Sequence, residues 1–301
     1  MVFRRILHGL AQVPQDCCSG SGDRGKILLS QQGIRKSSTN MSPEVQIQVD
    51  APPSRPADWR FWRSRLLDLV FPPQCVVCQT SLADGIAIQV CADCTREMVG
   101  GALMPCPRCG SRVVTNPYTR YCRMCRSERY QFERAIAIGN YRGRLRDAIY
   151  QFKRRNQEPV AYQLGRLLGR YVLESIQPGV DFQCVVPMPS HRFRQWTRGM
   201  NPALVVAEGV ACETRSELIA DLLQYRRHTA KQGTLSRTRR LENVKNAMRI
   251  NPRIRPSGLR ILLVDDVMAS GATANEAARA LRADGVKKVV VAIVARGMGA
   301  N

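Results

Sequence analysis

The chain has 301 residues, of which 44% are hydrophobic, and it carries a formal net charge of +22 at neutral pH. This length is enough for about two domains, and no apolar run is long enough to span a bilayer. The excess of positive charge indicates a phosphate-rich partner, such as nucleic acid or a nucleotide-like ligand, although a solvated basic surface without a partner would have the same composition.

The N-terminal region has the composition of a tail rather than of a folded domain. Residues 1–58 are rich in Ser, Gln, Gly and Pro and lack periodic hydrophobicity, which predicts disorder. The basic start is followed only by a broken apolar stretch, so we predict no signal peptide and a cytoplasmic location. Met41 is an alternative start, which would remove the first 40 residues from the protein.

A short amphipathic helix is predicted after this tail. Trp59, Trp62, Leu66, Leu69 and Val70 recur at roughly helical spacing. We interpret the segment as a helix that docks on the following domain, and a helix lying on a membrane surface is the alternative.

Eight of the twelve cysteines form four Cys-x-x-Cys pairs, and these pairs are arranged as a repeat. Cys75 and Cys106 are separated by 106 − 75 = 31 positions, and the same offset relates the other three cysteines of each copy. In a reducing compartment such pairs indicate metal ligation rather than disulfides. We predict two structural zinc sites, each built from one copy, with an interleaved cross-brace as the alternative. The ligand sets are Cys75, Cys78, Cys91 and Cys94, and Cys106, Cys109, Cys122 and Cys125.

The second cysteine unit is also rich in arginine and tyrosine. Closed four-thiolate sites leave no open coordination position, so we expect no catalysis at the zinc ions. Arginines interleaved with aromatic residues are compatible with binding of single-stranded nucleic acid and equally with an ordinary solvated surface. The residues concerned are Arg108, Arg112, Arg120, Arg123, Arg126, Arg129, Tyr118 and Tyr121.

Strands and helices alternate after Phe132. A stripe of Leu145, Ala148, Ile149 and Phe152 indicates an amphipathic helix, and Asn201 suits a helix N-cap with a proline after it. The predicted strands are 134–141, 182–189, 260–266 and 287–295, and the other predicted helices are 161–176, 201–212 and 273–285. Strands that are apolar throughout indicate an α/β fold with a parallel sheet covered by helices on both faces. We predict a tail at 1–58, a helix with a small four-cysteine zinc module at 59–130, and an α/β domain at 131–301.

The segment ILLVDDVMASGAT, residues 261–273, predicts a ligand pocket. Asp265 and Asp266 lie at the end of a buried strand, where two unpaired carboxylates repel each other unless a ligand uses them. In parallel α/β sheets, ligands bind beyond the carboxyl ends of the strands. The loop from Val267 to Thr273 precedes a helix, and its backbone N–H groups with the Ser270 and Thr273 hydroxyls would hold an anion. Together these features predict a pocket for a ribose that carries a terminal phosphate.

This segment resembles the phosphoribosyl pyrophosphate (PRPP) signature of type I phosphoribosyltransferases. Three further segments, NYRGRLRDAIYQFKRR, VVPMPSHRFRQWTRGMNPA and RRHTAKQGTLSRTRRLENVKNAM, resemble in order three blocks of the competence protein F (ComF) family. That family also carries an N-terminal cysteine zinc module. The resemblance covers about residues 66–297 and implies a type I phosphoribosyltransferase-like fold.

The resemblance also implies roles for individual residues. Asp265 and Asp266 would hold the ribose hydroxyls, and Mg²⁺ would bridge the pyrophosphate. Residues 226–245, rich in Arg and Lys, would form a mobile hood over the site. The 5′-phosphate would be surrounded by Ala269, Ser270, Gly271, Ala272 and Thr273. The pyrophosphate loop would be Pro187, Met188, Pro189 and Ser190, with Arg198 and Lys153 as further phosphate contacts.

The chain departs from the family and the fold in two informative places. The block Arg198–Pro202 has Met200 and Pro202 where the family usually has Phe and Gln, so we assign no contact to Pro202. Enzymes that salvage 6-oxopurines have an acidic general base at the position of Ala269, and alanine cannot transfer a proton. Hypoxanthine or guanine salvage is therefore disfavoured, and no residue is assigned as catalytic.

Three functions are compatible with these patterns. The first is a phosphoribosyltransferase with an unidentified acceptor. The second is a non-catalytic factor that binds PRPP and single-stranded DNA in competence and DNA uptake. The third is an adaptor for protein partners of a DNA-uptake machinery, with a vestigial pocket, which the intact Asp265–Asp266 pair and its loop oppose.

Overall fold

A computed structural model of the chain describes residues 72–83, 86–100, 103–113, 121–126, 128–155, 157–175, 182–190, 201–227 and 237–297. The predicted tail, the predicted helix at 59–70, Arg198 and part of the predicted hood lie outside these residues. The described residues belong to one compact unit, Pro72–Asn301. None of the described helices is long and apolar enough to cross a membrane.

The cysteine-rich region contains little regular structure. Helix α1 (Ala92–Val99) begins directly after a cysteine, and Cys91 is its N-cap, accepting a bond from Cys94 N. In the second unit, β1 (Met104–Pro105) and β2 (Arg112–Val113) pair antiparallel. A 3-10 turn at Arg123–Cys125 carries the last two-cysteine pair. Such short elements cannot bury a core of their own, so this region depends on metal ligation and on contacts with the rest of the chain.

The remaining strands form the predicted parallel sheet and one separate pair. The sheet strands are β3 (Arg134–Asn140), β4 (Cys184–Pro187), β5 (Glu217–Leu218), β8 (Arg260–Met268) and β9 (Lys288–Arg296). Their order is β3-β9-β8-β4-β5, and every neighbouring pair is parallel. A separate antiparallel pair, β6 (Leu223–Tyr225) and β7 (Met248–Ile250), was not predicted. The fold class expected from the sequence is confirmed.

Helices cover both faces of the sheet. They are α2 (Gly143–Arg155), α3 (Glu158–Ser175), α4 (Pro202–Thr214), α5 (Arg237–Val244) and α6 (Ala272–Ala283). The predicted stripe on α2 is buried, and Asn201 caps α4 by accepting a bond from Ala203 N. Alternate residues of β8 face opposite sides, because Leu262 and Val264 pack with α2–α4 whereas Ile261 and Leu263 pack with α6.

Each cysteine unit is part of a different face of this core. Cys75 and Cys94 of the first unit lie in the cluster that contains α2, α3 and α4. Cys106, Cys109 and Cys125 of the second unit lie in the cluster that contains α6. The domain boundary predicted at residue 130 stays a prediction, but hydrophobic contacts run across it on both faces of the sheet.

The second cysteine unit also covers the open edge of the sheet. Strand β3 is an edge strand, and its Ala135 N donates to the Arg108 carbonyl at 3.0 Å. The buried Asn140 side chain accepts a bond from Arg112 N at 3.0 Å and donates to Arg112 O at 2.7 Å. These bonds satisfy backbone groups that an exposed edge would leave unpaired. They anchor the second unit directly on the α/β domain.

Candidate ligand pocket and zinc sites

Two groups of four cysteines have the geometry of tetrahedral zinc sites. Within each group all four Sγ atoms lie within 4.8 Å of one another. Cys75 and Cys94 Sγ are 3.8 Å apart, and Cys78 and Cys91 Sγ are 3.7 Å apart. Zn–S bonds of about 2.3 Å give tetrahedron edges of about 3.8 Å, so the sulfurs are already spaced for the ion. The groups are the two sequential sets predicted from the repeat, which confirms them and makes the interleaved cross-brace wrong.

Donors around the sulfurs support ligation in the charged form. Cys91 N donates to Cys75 Sγ at 3.3 Å, and Cys122 N donates to Cys106 Sγ at 3.4 Å in the second unit. Arg144, at the start of α2, donates from Nη1 to Cys94 Sγ at 3.4 Å. N–H groups that point at metal-bound thiolates orient the ligands and balance their charge. The first zinc site is thereby linked to the helix that carries Lys153.

The two adjacent carboxylates lie within β8, at its carboxyl half. Strand β4 ends opposite Val264, whereas β9 continues alongside β8 as far as Met268. Asp265 and Asp266 therefore lie where β8 extends beyond its β4 neighbour, which opens one side of the sheet. The strand is longer than predicted, and Val267 and Met268, predicted as loop, belong to it because they pair with Ala295 and Arg296.

The two carboxylates have different surroundings. Asp266 Oδ2 lies 2.8 Å from Lys153 Nζ, and Asp266 N donates to Asp265 Oδ1 at 2.8 Å. Burial, together with the adjacent charge of Asp266, raises the pKa of Asp265 to about 7. Burial disfavours the charged form of an acid, and a nearby like charge adds to the effect. Lys153, predicted as a phosphate contact, instead neutralises Asp266 in this structure.

The loop after β8 has the form of an anion-binding helix start. Gly271 is the N-cap of α6 with φ of 82°, a conformation that glycine adopts without strain. Ser270 Oγ accepts a bond from Ala272 N at 3.3 Å, and Ala269 is exposed. Ala272 and Thr273 lie in the first turn of α6. The first turn of α6 therefore follows the two carboxylates closely along the chain, and its use as an anion site stays a prediction.

The predicted pyrophosphate loop begins inside β4. Pro187 and Met188 are buried, and the backbone of Met188 is hydrogen-bonded within the fold. Met188 N donates to Val264 O at 2.7 Å, and Asn201 Nδ2 donates to Met188 O at 3.4 Å. Pro189 and Ser190 are half-buried, and the buried Ser190 hydroxyl oxygen has no hydrogen-bond partner among the described residues. A buried hydroxyl without a partner is costly unless a ligand or water satisfies it.

Sequence reasoning missed two residues that contact the loop after β8. Arg296, at the end of β9, is 1% exposed and donates from Nη1 to the carbonyl oxygens of Met268, Ala269 and Gly297. Tyr130 lies against Gly271, where a Cβ atom would come within 3.1 Å of its ring. An arginine directly after seven apolar strand residues was the available signal for Arg296, because a buried charge must be hydrogen-bonded or paired. No sequence signal indicated Tyr130.

Arg296 also lies near the second zinc site. The hydrogen bond with Cys106 raises the pKa of the Cys109 thiol to about 11, whereas the nearby positive charge of Arg296 acts to lower it.

Two of the arginines that the sequence offers as possible nucleic-acid contacts have internal partners. Arg108 donates to Cys125 O at 2.7 Å and lies over the Tyr121 ring, and Arg112 donates to Ile138 O at 3.1 Å. These two side chains hold the second unit together and on the sheet.

Comparisons with known proteins agree with this arrangement. A double zinc ribbon domain model matches residues 66–126, and a phosphoribosyl transferase domain model matches residues 201–300. The DNA utilization protein YhgH of Salmonella typhi is 30% identical over 232 residues, which cover 74% of this chain and 96% of the relative. The chain belongs to the competence protein F and YhgH family. Competence protein F of Haemophilus influenzae is 29% identical over 211 residues, which cover 69% of this chain and 90% of that protein.

Solved structures similar to this family member are more distant. The allosteric regulatory enzyme of purine biosynthesis superposes with a TM-score of 0.30 at 22% identity, covering 44% of this chain and 25% of that chain. TT1426 from Thermus thermophilus superposes with a TM-score of 0.27 at 21% identity, covering 44% of this chain and 72% of that chain. The fold assignment depends instead on the strand order and on the family models.

Proposed function

We propose that this member of the competence protein F and YhgH family binds PRPP with Mg²⁺ at the carboxyl end of β8 and transfers its phosphoribosyl group to an acceptor. The observation that carries the proposal is the sequence of groups along one stretch of chain. Asp265 and Asp266 are followed by a turn at Ala269–Gly271, of which Ala269 is exposed, and then by the N-terminus of α6. Carboxylates suit ribose hydroxyls, and helix N–H groups suit a phosphate.

The remaining groups suit the other end of PRPP. The Ser190 hydroxyl, without a partner in the structure, is available to a pyrophosphate oxygen. Lys153 is 29% exposed and can exchange its ion pair with Asp266 for a phosphate contact. Mg²⁺ would be held mainly by the pyrophosphate oxygens and water, and when bound it neutralises charge on the leaving group.

The proposed reaction is a displacement at the anomeric carbon. The bond from this carbon to the pyrophosphate oxygen breaks with its electron pair, a bond to the acceptor forms, and the acceptor loses a proton. Ala269 has no group that can take this proton, so we expect an acceptor that needs no protein base at that position. Hypoxanthine and guanine are therefore poor candidates.

Calorimetry with PRPP and Mg²⁺ tests the pocket. The wild type should bind, and the Asp265→Asn/Asp266→Asn double variant should lose binding by at least about tenfold, because it loses both charged hydroxyl acceptors. Asp284→Asn, at the exposed C-terminal end of α6, is a matched control that should bind as the wild type does. Absence of binding by a folded, zinc-loaded wild type would refute the proposal.

A second candidate function is binding of single-stranded DNA without catalysis. It is favoured by the names of the relatives, a competence protein and DNA utilization proteins, and by the net charge of +22. Arg123 and Arg129 of the second cysteine unit are exposed and available to a phosphate backbone. Protein partners in a DNA-uptake machinery and a cytoplasmic location stay predictions from the sequence.

A further inference from the structure

The guanidinium of Arg296 is a buried charge directly behind the loop that follows β8. Nη1 donates to Met268 O and Gly297 O, each at 2.8 Å, and also to Ala269 O. Within the described residues no carboxylate forms an ion pair with this side chain. Burying a charge is costly unless its surroundings compensate it. The contacts with the three carbonyl oxygens are therefore the interactions that compensate the burial of this charge.

These contacts determine which way the loop peptides point. The peptide bonds of the described residues are trans, so the carbonyl of one residue and the N–H of the next point in opposite directions. When the carbonyls of Met268 and Ala269 turn inward to Arg296, the N–H groups of Ala269 and Ser270 turn outward. Arg296 thereby presents two backbone donors on the outer side of the loop, next to the N-terminus of α6. Donors arranged in this way are what an anion requires.

The second cysteine unit also contacts this loop. Arg108 Nη1 donates to Cys125 O at 2.7 Å and to Glu128 O at 2.6 Å, which ties the following segment to the zinc site. In that segment Tyr130 stacks on Phe132 with ring centroids 4.5 Å apart, and its ring packs on Gly271. Gln131 N donates to the Asn275 side chain of α6 at 2.6 Å. The zinc site, the loop and the start of α6 are therefore connected by direct contacts.

The electrostatics favour the same connection. Zinc with four thiolates carries a net negative charge. The second cysteine unit lies close to Arg296, because Asn140 pairs with Arg296 in the β3–β9 register and its side chain bonds the backbone of Arg112. The zinc-bound unit thus lowers the cost of burying the guanidinium behind the loop. Removal of the metal would withdraw part of this compensation and loosen the segment that carries Tyr130.

We infer that Arg296 is a positioning residue for the Ala269–Gly271 loop, and that the second cysteine unit holds this loop in place through Tyr130, so that phosphate binding depends on a loaded second zinc site. The inference rests on the proposed function for the identity of the ligand, a ribose 5-phosphate group. The ordering of the loop by Arg296 can be measured without any ligand.

Hydrogen exchange of the ligand-free, zinc-loaded protein tests the ordering. In Arg296→Met and Arg296→Lys, amides of residues 268–273 should exchange about tenfold faster than in the wild type, because the carbonyls lose charged donors. Lysine keeps the charge, but its side chain is one bond shorter, so its ammonium cannot occupy the position from which Arg296 Nη1 contacts the three carbonyls. Arg282→Met, at an exposed position of α6, is the matched control. Unchanged exchange of this segment in Arg296→Met would overturn the inference.

Calorimetry with two partial ligands separates positioning from general damage. Ribose 5-phosphate should bind at least about tenfold more weakly to Arg296→Lys, whereas pyrophosphate should bind within about twofold of its wild-type affinity, because only the first ligand needs this loop. Equal losses for both ligands would assign Arg296 a merely structural role and refute the inference. If the wild type binds neither ligand nor PRPP, the proposed function fails, while the exchange experiment still decides whether Arg296 orders the loop.

A pair of tyrosine variants tests the connection to the zinc site. Tyr130→Ala should speed the hydrogen exchange of the loop amides and weaken the binding of ribose 5-phosphate, while both zinc ions are retained. Tyr130→Phe should match the wild type, because the hydroxyl has no hydrogen-bond partner within the described part of the chain and the ring contact with Gly271 remains. Selective loss of the second zinc, in Cys122→Ser, should reproduce the effect of Tyr130→Ala. If neither Tyr130→Ala nor Cys122→Ser changes the hydrogen exchange of the loop or the affinity for ribose 5-phosphate, the connection between the second zinc site and the loop is overturned.

Discussion

Lys153 Nζ and Asp266 Oδ2 lie 2.8 Å apart and join the end of α2 to the carboxyl half of β8. The sequence assigns these two residues to different parts of one ligand, Lys153 to a phosphate and Asp266 to the ribose hydroxyls, and the structure pairs them directly. It also explains how two adjacent carboxylates persist in the folded protein, since one of them is neutralised by the lysine and the other is protonated more readily than usual.

Replacing this lysine should affect both the ligand and the fold. Lys153→Met should weaken the binding of PRPP by about tenfold or more, because a charged phosphate contact is lost. It should also lower the free energy of unfolding by about 1–3 kcal/mol, since Asp266 is left without its partner. Arg154→Met, the next residue of α2 and exposed, is the control. Unchanged PRPP affinity in Lys153→Met would restrict the role of Lys153 to stability.

The raised pKa of Asp265 predicts a pH-dependent stability. A folded-state pKa of about 7 exceeds the ordinary value of 3.8, so the folded protein binds this proton more tightly than the unfolded chain does. The resulting stabilisation is present at low pH and is lost as pH rises through the folded pKa. Asp265→Asn has no such carboxyl group and cannot lose this stabilisation. Its free energy of unfolding relative to the wild type should therefore rise by roughly 2 kcal/mol between pH 5.5 and pH 8.

Urea denaturation of both proteins at the two pH values measures this difference. The comparison cancels changes in zinc affinity, which affect the wild type and the variant alike. Asp284→Asn should show no such gain, since that carboxylate is exposed. A difference between Asp265→Asn and wild type that does not vary with pH would mean that Asp265 titrates normally.

Zinc should stabilise the α/β domain as well as the cysteine units, because the ligand cysteines belong to its two core clusters. We expect two zinc ions per chain by metal analysis and a lower Tm for the whole unit after chelation. Cys109→Ser, at a fully buried ligand, should retain one zinc and lose several kcal/mol of stability. Cys212→Ser, at a half-buried cysteine outside both sites, should keep both ions. A chelated protein with unchanged thermal unfolding would contradict this prediction.

Exposed and internal arginines of the second unit should behave differently toward single-stranded DNA. If this unit binds DNA, Arg123→Gln/Arg129→Gln should weaken binding and make the slope of log affinity against log salt shallower by about 1.4, or about 0.7 for each lost contact. Arg108→Gln should lower stability instead, because Arg108 donates to internal carbonyls. Identical salt slopes for the wild type and the double variant would exclude these two residues from a DNA interface.

The local patterns of the sequence determined the zinc ligand sets and the parallel sheet, and they are the basis of the proposed place of the pocket. Cys-x-x-Cys pairs lie on tight turns, so their grouping follows from a 31-residue repeat within one short segment. Apolar strands that alternate with amphipathic helices leave few alternatives to a parallel sheet. The end of β8 was predicted two residues too early, since its true end depends on pairing with β9, which is not a local property.

Only the tertiary structure decided how these parts act on one another. The attachment of the two zinc units to opposite faces of the sheet, the pairing of Lys153 with Asp266, and the contact of Arg296 with the loop after β8 all join distant parts of the chain. Such contacts are selected by packing and by the need to satisfy buried polar groups. Periodicity and motif spacing carry no information on that selection, because they report only on neighbours along the chain.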